Sequence, residues 1–140
     1  MTAEHPPRGA LHLVVIALEV LGVAFALGIG FGVGVILTFT HRLSAPWGLA
    51  LALVIVVALI AGFRLAMGGR LHAAAAAIGL VAASALLALP GAGGSVLVVD
   101  DVLGYGWALA PALIAAIVIA WPKPRPRTLV PATEGAAPRP

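Results

Sequence analysis

Four long apolar stretches, separated by short polar breaks, occupy the chain between Leu11 and Trp121, and no other feature limits its fold as sharply. A helix rises about 1.5 Å per residue, so about 20 apolar residues cross a hydrocarbon core of about 30 Å. Backbone amides in lipid must bond within their own helix or around a closed barrel, and no stretch alternates with the two-residue period of a barrel strand. The sequence therefore predicts an all-α membrane protein, a four-helix transmembrane bundle, with spans at about 11–40, 47–67, 71–89 and 102–121. Residues 1–10 precede the membrane domain of 11–121. Residues 122–140 form a Pro/Arg-rich tail whose composition predicts extended, disordered chain.

The composition excludes an ordinary soluble domain. Apolar residues make up 62% of the chain and charged ones 9%, where a soluble surface needs about 25% charged residues. The eight Lys and Arg flank the apolar runs, where they report orientation and not nucleic-acid binding. Cysteine is absent, which removes disulfides, thiol catalysis, Cys-ligated zinc and iron–sulfur clusters. Seven Arg against one Lys, with abundant Ala and Gly, match a GC-rich bacterial composition.

Punctuation residues set the expected span ends. Ser44 reads as the N-cap of the second span, with Pro46 near its first turn. Pro90-Gly91 stops the third span and Pro122 the fourth, while Pro111 predicts a kink near Trp107. Arg8, the run from Leu11 and Ala24-Phe25-Ala26 mimic a signal peptide, but the apolar run continues to Phe39, which favours a retained span.

Orientation follows the basic residues. Arg8, Arg64, Arg70, Lys123, Arg125, Arg127 and Arg139 fall on one side of a four-span layout, and Arg42 alone on the other. Both termini are expected to be cytoplasmic, with the protein multi-pass in the plasma (inner) membrane. Trp47, Tyr105 and Trp107 are expected at the outer interface and Trp121 at the inner one.

The residues with the strongest pattern lie in the first span. Gly22, Ala26, Gly30 and Gly34 recur every four residues, beside a parallel ridge of Ala24, Gly28 and Gly32. Small residues at this spacing let another helix approach closely, either within the chain or from a second copy. Glu19 is the lone acid within an apolar run. It precedes Gly22 by three residues, so it is expected on the same face, toward the bundle. It is read as snorkelling or pairing with Arg64, or else as a proton- or cation-coupling carboxylate or a partner contact.

The remaining candidates are weaker. His12 and His72 begin spans and are read as interfacial, with haem ligation between helices the chemical alternative. His41 is expected outside. Asp100-Asp101 are read as an N-cap of the fourth helix rather than a cation site. Bases in the tail suit anionic lipid. No nucleophile sits beside a base and no metal-ligand cluster is spaced for binding, so neither an enzyme, a metal nor a cofactor is expected.

Two resemblances follow from short motifs. Pro90-Gly91 with Gly93-Gly94-Ser95, then Leu103-Gly104-Tyr105-Gly106-Trp107 and Ala120-Trp121-Pro122, make the chain resemble an uncharacterised actinobacterial family of small four-helix integral membrane proteins. That resemblance implies the architecture and no activity. Leu18-Glu19-Val20-Leu21-Gly22 is similar to the first-helix acid motif of small multidrug-resistance transporters, which would make Glu19 a proton-coupling residue. The glycine ridge and the basic tail depart from that family. The expectation is a structural or accessory membrane component, packing through the glycine-rich first helix as a homo-oligomer or within a larger complex in the bilayer. The alternative is a small proton-coupled transporter using Glu19.

Overall fold

The computed structural model describes residues 8–89 and 101–122. It contains α1 (Arg8–Thr40), α2 (Trp47–Ala66), α3 (Arg70–Ala88) and α4 (Val102–Ala120). All four are long and apolar enough to cross a membrane, the architecture of a multi-pass helical membrane protein. The ends fall within three residues of those read from the sequence. The segment before Arg8, the tail after Pro122 and the loop of residues 90–100, with Asp100, lie outside the described residues.

α3 is the central helix. It packs against all three others, α1 lies mainly along it, and α2 touches both α4 and α1. Half of the apolar window of α3 is buried, against 11–22% in the other helices. The cause is side-chain size: the buried residues of α3 include Ala73, Ala75, Ala76, Ala77, Gly79 and Ala83, so neighbours approach its backbone from several directions. Ile60, Val56, Leu80, Leu37 and Trp107 fill the space around this slim axis.

The ridge of α1 meets α3 in parallel register. A Cβ on Gly22 would lie 2.7 Å from His72 Nε2, and one on Gly34 2.7 Å from the Leu80 carbonyl oxygen. At Gly30 it would strike the Ala76 carbonyl, and at Gly79 the Leu27 carbonyl in return. Ala26 is fully buried beside Ala75 and Ala76. The Gly22, Ala26, Gly30, Gly34 face is thus an intramolecular seam. Gly28 and Gly32, on the parallel ridge, have nothing within 4 Å of a would-be Cβ.

This register leaves α1 overhanging. Gly22 is level with His72, so the start of α3 at Arg70 is level with about residue 20 of α1. Residues 8–19 extend beyond it, about 18 Å at 1.5 Å per residue. Every residue from Leu11 to Leu21 faces outward.

The connections correct one expectation. Ser44 does not cap α2 with its side chain: Pro46 is the N-cap residue and no side-chain bond is made there. Backbone carbonyls serve instead, with Gly48 N donating to Ser44 O at 2.6 Å and Ala50 N to Pro46 O at 3.2 Å. The Ala45–Pro46 peptide is cis. Between α2 and α3, Gly68 takes φ +63°, a left-handed conformation that glycine adopts without steric cost. Pro111 is buried within the continuous helix α4.

Candidate functional site

Polar groups gather at two places, one at each end of the bundle. The first lies where α1 ends. Thr38, His41, Ser84 and Trp107 are all buried there, so the Trp107 ring, expected at the interface, is turned into the bundle. Trp47 and Tyr105 do face outward.

Hydrogen positions follow from the donor inventory. Trp107 Nε1 can only donate, and it does so to Thr38 Oγ1 at 3.1 Å. Thr38 has one hydroxyl proton, with Gly34 O at 2.7 Å and Ser84 Oγ at 3.3 Å. The shorter, helix-internal bond takes it, and Ser84 Oγ donates to Leu80 O at 3.1 Å. His41 Nδ1 lies 2.8 Å from Thr38 O. A carbonyl only accepts, so Nδ1 carries the hydrogen. The imidazole stacks on the Trp107 indole, with centroids 5.2 Å apart and planes at 11°. Its Nε2 is buried without a hydrogen-bond partner among the described residues. A cavity of about 120 Å³ borders Ser84 and Trp107, with Pro111, Val81 and three alanines (Ala85, Ala88 and Ala108) completing its wall. The cluster joins α1, α3 and α4.

An ion pair lies beside it. Arg42 Nη2 donates to Asp101 Oδ1 at 2.5 Å, and the same oxygen accepts from Gly104 N at 2.7 Å. Asp101 is therefore the N-cap of α4, as the sequence indicates. The Arg42 guanidinium first, and the Gly104 amide second, hold its carboxyl below the ordinary value of 3.8.

The second place is the opposite end, where α2 and α4 finish. Arg64 Nη1 donates at 2.5 Å to both Val118 O and Ile119 O, and Nη2 donates to Trp121 O. The reason is local to α4. The helical partner of Val118 O would be the amide of residue 122, which is proline and has no N–H. Arg64 supplies a donor from the neighbouring helix, with its positive charge at the negative end of the α4 dipole.

The Glu19–Arg64 pairing considered from sequence is not formed. Glu19 faces outward and makes no hydrogen bond or ion pair among the described residues. Its position shows why: it does share a helix face with Gly22, but at its level α3 has not yet begun. The inward placement is corrected on the same ground. His72 is buried over Gly22, whereas His12 faces outward ten residues, about 15 Å, further along α1. No group of three or more His, Cys, Asp or Glu gathers among the described residues.

Sequence reading passed over the Thr38–Ser84–Trp107 cluster and the Arg64 clasp. The signals were Thr38 and Ser84, hydroxyls inside apolar runs, and the proline that ends α4 opposite an arginine. Arg42 and Asp101 were also legible as opposite charges on one side of the layout. No protein-family model, curated protein or solved structure matches the chain. The site is accordingly read from its own geometry.

Proposed function

We propose that this chain is a structural or accessory component of a membrane assembly. The observation that carries the reading is where its polar chemistry goes. Arg64 closes a helix end, Asp101 caps another while pairing with Arg42, and Trp107 bonds to Thr38 across helices beside the buried Ser84. These groups hold the bundle together, and apart from His12 and Glu19 the outward surface of α1 from Leu11 to Leu21 is apolar, with large side chains such as Leu13, Val15 and Leu18 turned away from the bundle.

The distribution of bases favours cytoplasmic termini in a plasma membrane. Because the glycine seam is filled by α3, association with a second copy or a foreign subunit uses other faces. The test is the mass and composition of the complex extracted from its own membranes in mild detergent. Stoichiometric foreign subunits or a defined homo-oligomer are expected. A bare monomer that carries out proton-coupled transport abolished by Glu19→Gln would overturn the reading in favour of a carrier.

A further inference from the structure

Arg64 does more than close α4. Its side chain lines a cleft of about 450 Å³ between α2 and α4, otherwise walled by Ala61, Leu65, Gly68, Val118, Trp121 and Pro122. Three carbonyl bonds occupy at most three of the five guanidinium N–H groups. The carbonyls are dipoles, so the unit charge is not neutralised. Among the described residues no carboxylate lines the cleft. The acids among the described residues are Glu19, on α1, and Asp101, at the opposite end of α4 and paired with Arg42.

A cation at the end of a span, beside an aliphatic groove and an outward-turned indole, matches one kind of molecule. We infer that the α2–α4 cleft is a binding site for an anionic glycerophospholipid. The phosphate takes the remaining guanidinium donors, a geometry that arginine serves well. An acyl chain lies along Leu65 and Val118, and Trp121 sits at headgroup level. The groove is open at the outer surface of the bundle, which in a membrane faces lipid, and charge complementarity selects an anionic headgroup over a zwitterionic one.

Native mass spectrometry of the full chain, with equal additions of palmitoyl-oleoyl phosphatidylglycerol or phosphatidylcholine, tests the site. The wild-type protein should hold one phosphatidylglycerol about tenfold more tightly than phosphatidylcholine, the scale of one charge-assisted contact. Arg64→Gln should bring the two lipids level. Ala61→Phe, which fills the groove and keeps Arg64 on its carbonyls, should also remove the preference, and it decides the matter if Arg64→Gln fails to fold. A variant with Lys123, Arg125 and Arg127 all changed to Gln should keep it. Absence of a preference in the wild type, its survival in Ala61→Phe or in a folded Arg64→Gln, or its loss in the tail variant would overturn the inference.

Discussion

Replacing Gly30 with alanine should destabilise the bundle by about 1–3 kcal/mol, the usual cost of forcing a methyl group into a closed interface. A Cβ there would lie 2.7 Å from the Ala76 carbonyl carbon and 2.8 Å from Ala76 Cα, with the carbonyl oxygen closer still. Ordinary contact begins at 3.4 Å, so clearing the carbonyl carbon alone takes a local separation of 0.7 Å (3.4 less 2.7), and clearing the nearer oxygen takes more. Backbone cannot turn aside as a flexible side chain can. An opening of about 0.5–1 Å forfeits a quarter to a half of each dispersion contact along the seam, and in lipid no hydrophobic force between helices offsets that loss. Gly28→Ala and Gly32→Ala are the controls, since nothing stands within 4 Å of either position, and they should stay within about 0.5 kcal/mol of wild type. Reversible unfolding in mixed detergent–lipid micelles measures all three. Adding Gly79→Ala to Gly30→Ala should cost less than the sum of the singles, because one separation relieves both clashes. If Gly30→Ala unfolds with Gly28→Ala, the seam is not the tight surface described and the reasoning fails.

Four further outcomes are expected. Arg64→Gln should lose on the order of 1 kcal/mol, the partly exposed guanidinium being worth less than a buried one, and Pro122→Ala should recover part of it by giving Val118 O an amide; no recovery in unfolding assays would count against the clasp. Thr38→Val should cost about 0.6 kcal/mol and no more than about 1.7, and a double-mutant cycle with Trp107→Phe should show coupling, whereas additive effects would deny the bond. Because the Asp101 carboxyl is held below its usual value, its stabilisation is complete above pH 3.8 and declines as pH falls through the lowered value; Asp101→Asn should flatten that acid limb in unfolding curves taken from about pH 5 downward. Glu19→Gln should leave stability within about 0.5 kcal/mol of wild type, since the carboxylate is unpartnered among the described residues; a larger change would mean that Glu19 has a partner after all.

The helices were legible because membrane burial writes itself in length and composition, and the small-residue spacing of α1 named the seam in advance. What the sequence did not yield was which face meets which neighbour. Glu19 illustrates the gap. Its spacing from Gly22 suggested an inward placement, but its level relative to α3 depends on the parallel register, which only the Gly22–His72 and Gly30–Ala76 approaches establish. Trp107 illustrates another. Proximity to a span end suggested an interfacial ring, but burial was decided by its stack on His41 and its bond to Thr38, 69 residues away in sequence. Arg64 was singled out, and its partners proved to be main-chain carbonyls, which no side-chain pairing rule would select.

The overhang of α1 sets two heights for one lipid collar. Three helices of 19–20 residues match a hydrocarbon layer of about 30 Å, while the 33 residues of α1 measure about 50 Å. Tilt normally absorbs an excess of this kind, but α1 is fastened along α3, and tilting the whole body to suit it would draw the ends of the shorter helices into lipid. The mismatch therefore falls on one flank. Thick membrane relieves the long rod and strains the body, thin membrane does the reverse, and the boundary where one gives way to the other is where such an uneven shape rests with least distortion.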